Sequence, residues 1–205
     1  MKTTRQNAMD KILSHDILGL MSTLPMEQQE HAVRVGNYVR CIWEELCGKK
    51  CSEEAGLAAR FHDIGKVYIP RKVLNGKSFQ DESAIVIWHT HYAAELLRME
   101  NAITYGNMQI IPWVQKLMRE MATRHHEYWN GSGYPDGIRE KEIPIGARMC
   151  AVADTYDILR NGLYGYEALE PEDAVYRLQE KADQRLLDPD IVYVFIEKRL
   201  YQDEI

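Results

Sequence analysis

Apolar residues recur at helical spacing along nearly the whole chain, and this spacing limits the possible folds more than any other feature. Over residues 8–21 one helical face would carry Ile12, Leu13, Ile17, Leu20 and Met21. A second amphipathic segment covers residues 26–47, after the break at Pro25. No stretch alternates polar and apolar residues as a half-buried strand would. The sequence therefore predicts an all-α protein with roughly eight helices.

Prolines, glycines and capping residues predict where the remaining helices begin and end. Ser52 is an expected N-cap, and its helix should run through Ala59 and stop near Gly65. Residues 81–99 form another predicted helix, whereas residues 128–140 are predicted to be irregular because glycine and proline recur there. Further helices are predicted to open at Pro112, at Pro144 (reaching about residue 160), at Pro171 and at Pro189.

Length and composition exclude several classes of protein. The 205 residues fit one domain, so residues 1–24 are interpreted as a helical extension of a domain at 25–205. A formal charge of -6 argues against a nucleic-acid surface, and we expect no DNA partner. No apolar run reaches the roughly 18 residues of a membrane span, and no secretory signal is evident. The four cysteines form no C-x-x-C pair, which is typical of free thiols in a cytoplasmic protein.

Histidines and carboxylates recur within and at the ends of the predicted helices, where they are candidate metal ligands. In chain order these residues are Glu27, His31, His62, Asp63, His89, His125, His126 and Asp154. Glu27 and His31 lie four residues apart and would face the same side of one helix. The other candidates come from different helices, which can point their ligands into one bundle core.

The mixture of imidazole and carboxylate ligands suits iron, manganese or zinc. Eight donors exceed the needs of one ion and suffice for two or three. Two cations about 3.5 to 4 Å apart can bridge a hydroxide and bind a phosphoryl group that undergoes in-line attack. The pattern therefore favours metal-dependent phosphate chemistry.

Each of these residues also has a simpler structural interpretation. A single histidine on a helix more often forms an ordinary hydrogen bond than a metal bond. Lys66 could instead stabilise a helix C-terminus, and the segment around Tyr134 could be a plain surface turn. His15-Asp16 is also a His-Asp pair, but no lysine or helix break follows it, so we interpret it as part of a solvated helix face.

Several short motifs resemble, in order and spacing, those of one enzyme family. The motifs are His62-Asp63-Ile64-Gly65-Lys66, Ile69-Pro70, His125-His126-Glu127, Asn130-Gly131-Ser132-Gly133-Tyr134-Pro135-Asp136-Gly137, Ile143-Pro144 and Asp154-Thr155-Tyr156-Asp157. They resemble the HD-GYP phosphodiesterases, a bacterial branch of the HD phosphohydrolase superfamily. The resemblance covers residues 27 to about 196 and identifies residues 25–205 as an HD-GYP catalytic domain.

The resemblance implies an HD-domain helical bundle with two or three divalent metal ions, commonly iron or manganese, with zinc as an alternative. It implies hydrolysis of cyclic di-GMP to linear pGpG and often on to GMP. All eight candidate ligands match family positions, and Glu27 matches the carboxylate of members with a third metal. Asp63 and Lys66 are the implied catalytic residues, with Lys66 near the scissile phosphate. The implied substrate-binding residues are Asn130, Gly133, Tyr134 (through stacking on guanine), Pro135, Asp157 and Arg160.

The segment after Asp157 departs from the family pattern. Members usually carry an arginine six residues later, then Pro-Tyr and a second cation, whereas this chain has Leu163, Tyr164, Gly165 and Tyr166. The expected phosphate-binding cations are therefore missing, and Asn130 replaces a residue that is usually acidic. Three hypotheses stay open. They are hydrolysis of cyclic di-GMP, hydrolysis of another cyclic dinucleotide or nucleotide, and weakly active binding of a cyclic dinucleotide or of a signalling protein such as a diguanylate cyclase.

Overall fold

The computed structural model describes residues 16–74, 83–98, 103–163 and 167–202, without the side chains of residues 83–86. Nine α-helices lie in these ranges: α1 (Ile17–Met21), α2 (Met26–Cys47), α3 (Ser52–Ala59), α4 (Arg71–Leu74), α5 (Ser83–Leu96), α6 (Pro112–Arg124), α7 (Ile145–Asn161), α8 (Pro171–Asp183) and α9 (Pro189–Glu197). Two 3-10 helices span Ile64–Tyr68 and Glu140–Glu142. Strands β1 (Thr104–Tyr105) and β2 (Met108–Gln109) form a short antiparallel hairpin. The predicted all-α class is confirmed.

Proline positions account for most of the helix starts. Pro112, Pro171 and Pro189 occupy first positions of α6, α8 and α9, where the missing N–H costs nothing. Pro144 directly precedes α7. The helix predicted over residues 26–47 has the expected bounds, and the one predicted over 81–99 spans Ser83–Leu96. Of the helix predicted over residues 8–21, only the part from residue 16 lies in the described ranges.

The helix predicted to begin at Ser52 differs at both ends. Cys51, with φ of 66°, is the N-cap, and the Ser52 hydroxyl donates to Glu44 Oε1 instead of capping the helix. The α-helix ends at Ala59, and the chain then turns into the 3-10 helix Ile64–Tyr68. Gly65 lies against α5 so closely that a Cβ there would be 1.9 Å from the carbonyl oxygen of His89. This packing requires glycine and fixes the 3-10 helix on the α5 backbone.

Helices α2 and α7 pack against each other within the bundle. Helix α3 packs on α2, and α6 packs on α7 and α5, so helices distant in sequence surround one core. Ile17, Leu20 and Leu24 are buried in this same core. The described part of the predicted N-terminal extension, which was expected to end at residue 24, therefore packs continuously with the rest of the bundle. Asp16 caps α1 by accepting from Leu18 N, while His15 lies outside the described residues.

Two further expectations concern the thiols and the membrane. All four cysteines are free, with Cys41 and Cys150 buried and Cys47 exposed. Among the described helices, none combines the length and the apolar character that crossing a bilayer requires.

Candidate metal centre

Five separate parts of the chain bring predicted ligands to one buried location. His31 comes from the middle of α2, His62 and Asp63 from the turn after α3, and His89 from α5. His125 and His126 follow the end of α6, and Asp154 lies on α7. Apart from the partly buried His126, all of these side chains are buried. Glu27, by contrast, is exposed in the first turn of α2 and lies outside the three ligand groups described below.

Asp63 lies between several imidazoles. Its Oδ1 is 3.4 Å from His89 Nε2 and 3.8 Å from His125 Nε2, and its Oδ2 is 3.3 Å from His62 Nε2. On the other side of His62, His31 Nε2 lies 3.1 Å from Asp154 Oδ1. Three groups have ligand atoms within 4.8 Å of one another: His31, His62 and Asp154; His62, Asp63 and His125; and His89, His125 and His126. His62 and His125 each offer one inward nitrogen and so serve one ion each, whereas Asp63 faces imidazoles with both carboxylate oxygens and could bridge two divalent cations.

Hydrogen bonds on the outer ring nitrogens orient three of the histidines. His62 Nδ1 lies 2.9 Å from the carbonyl oxygen of Ala59, and His125 Nδ1 lies 2.9 Å from that of Met121. A carbonyl oxygen can only accept, so each Nδ1 donates and each Nε2 points into the cluster. The inward Nε2 of His125 is buried without a hydrogen-bond partner. A buried polar atom of this kind is costly, and a metal ion would satisfy it. The donor set therefore fits a divalent metal.

Asp157 orients the third histidine, His31. His31 Nδ1 donates to Asp157 Oδ2 over 2.7 Å, and the Arg34 guanidinium donates to both oxygens of the same carboxylate over 2.7 and 3.0 Å. Asp157 is fully buried. A carboxylate behind a ligating imidazole raises its basicity and fixes its orientation. Asp157 thus lies behind His31 with both oxygens hydrogen-bonded, and its predicted contact with the substrate stays a prediction.

The two halves of the cluster have different charge states. Burial lowers the pKa of His62, but the neighbouring carboxylates Asp63 and Asp154 outweigh it and raise the pKa to about 10. Burial alone would raise the pKa of Asp154, yet His31 and His62 hold it well below its usual range. Burial lowers the pKa of His126 to about 4, so its ring is neutral. The carboxylates thus attract positive charge, which a divalent cation can supply on displacing protons from the imidazoles.

Lys66 lies beside the central carboxylate. Its ammonium is 2.5 Å from Asp63 Oδ2, and its side chain is buried. The two residues are three positions apart across the start of the 3-10 helix, which places them on one side. Burial would raise the pKa of Asp63, but Lys66 and His62 hold it well below its usual range. A buried ammonium next to the candidate metal site is suited to contact phosphate oxygens.

The loop with Gly133, Tyr134 and Pro135 folds back onto the histidine pair. Tyr134 N donates to the carbonyl oxygen of His126 over 3.1 Å, and the two rings stack at 4.8 Å with an angle of 22°. Gly133 passes so close to the chain that a Cβ would lie 2.2 Å from Tyr128 N. The Tyr134–Pro135 peptide bond is cis. Tyr134 therefore borders the cluster through His126, next to which a substrate base could lie.

Glu127 holds this loop, although its role was not predicted. Its Oε1 accepts from Asp136 N over 2.6 Å and from Gly137 N over 3.1 Å, and the residue is buried. The sequence signal was an acidic residue directly before a glycine-rich loop, whose backbone N–H groups need an acceptor. Arg34, which pairs with Asp157, was also missed; its signal was a cation one helical turn after His31.

Two other predicted substrate-binding residues form hydrogen bonds within the protein. Asn130 is exposed, and its Oδ1 accepts from Ser132 N and from the Ser132 hydroxyl, which closes a local turn. Arg160 donates to the carbonyl oxygen of Leu169 over 2.9 Å, beyond the C-terminus of α7. Leu163 is buried in place of the expected arginine, while Tyr164, Gly165 and Tyr166 lie outside the described residues.

Comparisons with known proteins agree with this geometry. The sequence profile described as HD domain matches residues 17–191. A cyclic di-GMP phosphodiesterase of Thermotoga maritima is 34% identical over 185 residues, which cover 88% of this chain and 47% of that protein. A 3'3'-cGAMP-specific phosphodiesterase 2 of Vibrio cholerae is 34% identical over 153 residues, covering 73% of this chain and 27% of that protein. The chain thus spans less than half the length of these two relatives.

A solved HDG"Y"P protein from Bdellovibrio bacteriovorus has the same fold, with a TM-score of 0.60 at 19% identity, over 85% of this chain and 52% of that one. The profile match covers most of the residues, including every buried candidate ligand. The chain therefore belongs to the HD domain family, in the HD-GYP branch that its motifs resemble.

Proposed function

We propose that the chain is a divalent-metal-dependent phosphodiesterase that hydrolyses cyclic di-GMP to linear pGpG. The observation that carries this proposal is the inward orientation of His62 and His125 around Asp63, fixed by hydrogen bonds on their outer nitrogens. Such pre-oriented imidazoles around a buried carboxylate are typical of a metal site and are expensive to bury otherwise. The names of the Thermotoga and Vibrio relatives support a cyclic-dinucleotide substrate.

The proposed metal ligands are the seven clustered residues His31, His62, Asp63, His89, His125, His126 and Asp154. Bound iron or manganese, with zinc as the alternative, would activate water and neutralise charge on the phosphoryl oxygens. We infer two ions, because seven ligands exceed the needs of one ion and Asp63 faces imidazoles with both of its carboxylate oxygens. A third ion, beside Glu27, stays a prediction, because Glu27 is exposed one helical turn from His31.

The proposed reaction adds water across one phosphodiester bond. One P–O bond breaks, and the departing ribose oxygen takes up a proton. Lys66 is the proposed residue that stabilises the developing charge or supplies this proton, because its buried ammonium lies against Asp63. Tyr134 and Pro135 are proposed to border the substrate, and Gly133 to allow their close approach to His126.

A direct assay tests the proposal. Protein reconstituted anaerobically with Fe(II) or Mn(II) should convert cyclic di-GMP to pGpG. The conversion is measured by chromatographic separation of the two nucleotides. The Asp63→Ala variant, which lacks the central carboxylate, should produce no pGpG. Intact cyclic di-GMP after long incubation with metal-loaded protein would count against the proposal.

A second candidate substrate is another cyclic dinucleotide, such as 3'3'-cGAMP. Leu163 is only 2% exposed and cannot contact a phosphate at the position where the family usually has an arginine. Phosphate recognition is therefore altered, and base recognition could be altered with it. Parallel assays with cyclic di-GMP and 3'3'-cGAMP distinguish the substrates. Binding of either one without any product would favour the third hypothesis, a binding protein with signalling partners.

A further inference from the structure

The buried carboxylate of Asp157 accepts four hydrogen bonds, which fill the lone-pair sites of its two oxygens. Its Oδ1 accepts from Arg34 Nε over 2.7 Å and from Asn161 Nδ2 over 2.9 Å. Its Oδ2 accepts from Arg34 Nη2 over 3.0 Å and from His31 Nδ1 over 2.7 Å. Because each oxygen is bonded on two sides, the carboxylate is held in one orientation.

Two of these donors, Arg34 and Asn161, fix the carboxylate from two different helices. Arg34 lies on α2 one helical turn after His31, and Asn161 is the last residue of α7, one turn after Asp157. The planar guanidinium bonds both oxygens at once, so it fixes the plane of the carboxylate as well as its position. Asn161 Nδ2 also donates to the backbone carbonyl oxygen of Asp157 over 3.1 Å. Together they determine where Oδ2 lies, and with it the direction of the His31 ring.

The His31 ring carries this orientation into one part of the candidate metal centre. Its inner nitrogen, Nε2, lies 3.1 Å from Asp154 Oδ1 and 3.3 Å from His62 Nε2. Two of the three ligand groups share no residue: they are the His31 group (His31, His62 and Asp154) and the His89 group (His89, His125 and His126). In the His89 group, the carbonyl oxygen of Met121 orients the His125 ring instead. The two groups are therefore oriented by separate contacts.

We propose that Arg34 and Asn161 are positioning residues for one metal ion, the ion of the His31 group. This inference rests on the proposed function, which places one ion in each of the two groups. Both residues act through Asp157, because the contacts described above reach His31 only by way of its carboxylate. Partners behind a ligating imidazole typically change metal affinity about 10- to 100-fold. The ion of the His89 group should not respond to either residue.

Two variants that retain most of the local structure test this inference. Arg34→Lys keeps the positive charge and removes the planar fork, so it changes the orientation of Asp157 more than the charge around it. Asn161→Ala removes a neutral donor from an exposed residue, which the fold should tolerate. Competition between each protein and a chelator for Mn(II) gives the number of bound ions and the dissociation constant of each.

The wild-type protein should bind two Mn(II) ions. In Arg34→Lys, one ion should bind about 10- to 100-fold more weakly and the other with unchanged affinity. Asn161→Ala should weaken the same ion. Anomalous scattering from Arg34→Lys crystals at limiting Mn(II) should show the His89 group filled before the His31 group.

Arg40→Lys is the matched control, because Arg40 lies on the same helix and pairs with Glu44 over 3.0 Å. This variant should bind both ions as the wild type does. Unchanged binding in both Arg34→Lys and Asn161→Ala, or an equal weakening of the two ions, would overturn the inference. A wild-type protein that binds fewer than two ions would contradict the inference and the proposed function together. If the two ions respond as expected but no cyclic dinucleotide is cleaved, only the proposed activity is refuted.

Discussion

Replacing Gly65 with alanine should disrupt the metal centre without unfolding the protein. The added Cβ would lie 1.9 Å from the carbonyl oxygen of His89 and 2.9 Å from Ala93 N. Cβ contacts below 3.0 Å essentially never occur, so the 3-10 helix and α5 must separate by at least about 1.1 Å at this point. Both neighbouring atoms belong to the α5 backbone, which cannot move aside as a flexible side chain would.

This separation acts directly on the ligands. Asp63 directly precedes the 3-10 helix, and its Oδ1 is 3.4 Å from His89 Nε2 on α5. Metal–ligand distances tolerate deviations of about 0.2 Å, several times less than the forced displacement. A misplacement of about 1 Å can lower an enzymatic rate about 100-fold. The strain of overpacking costs about 1 to 3 kcal/mol, less than the roughly 5 to 15 kcal/mol that stabilises a typical domain.

Three measurements follow for Gly65→Ala. Metal content after reconstitution should fall, the rate of cyclic di-GMP hydrolysis should fall about 100-fold, and circular dichroism should show a folded protein with a lower Tm. Gly19→Ala on α1 is the control, because its Cβ would meet only the end of the Asp16 side chain at 3.0 Å. A Gly65→Ala protein with full metal content and full activity would refute this reasoning.

Three other substitutions test individual contacts. Asp157→Asn removes the charge behind His31 and should weaken metal affinity about 10- to 100-fold in competition with a chelator; unchanged affinity would contradict the orienting role. Glu127→Ala should lower kcat/KM for cyclic di-GMP, because the loop loses the acceptor that holds it. Glu127→Gln retains an acceptor for Asp136 N and should keep most of the wild-type kcat/KM. An equal loss of kcat/KM in both variants would exclude the role of Glu127 in holding the loop. Leu163→Arg should destabilise the protein by about 3 kcal/mol or more in urea unfolding, because it buries an unpaired charge, and a stable variant with tighter substrate binding would show that this position faces the site.

Much of the fold was predictable because local signals agree with the tertiary structure. The apolar spacing of α2 and the prolines before or within the first turns of α6, α7, α8 and α9 indicated the helices directly. The end of α3 was not predictable, since nothing local distinguishes a helix that stops at Ala59 from one that reaches Gly65. The 3-10 helix that follows packs through Gly65 on His89, a contact distant in sequence that no local signal reveals.

The candidate site was likewise predictable only in part. The clustered histidines and aspartates were found because their residue types and spacing carry the chemistry, and the structure brings seven of the eight together. The contact of Asp157 with His31 was not predictable, because a sequence cannot show whether a carboxylate faces the substrate or lies behind a metal ligand. The structure shows that Arg34 and His31 engage its oxygens. Asn130 and Arg160 each form a hydrogen bond within the protein, and their contact with a substrate stays a prediction.

Anomalous X-ray scattering from a crystal of the protein loaded with Fe(II) or Mn(II) tests the central claim most directly. Data at the metal absorption edge should show at least two peaks, one within coordination distance of the Nε2 atoms of His62 and His125, close to Asp63. Metal bound only at the protein surface, or no peak among these buried side chains despite metal in solution, would contradict it.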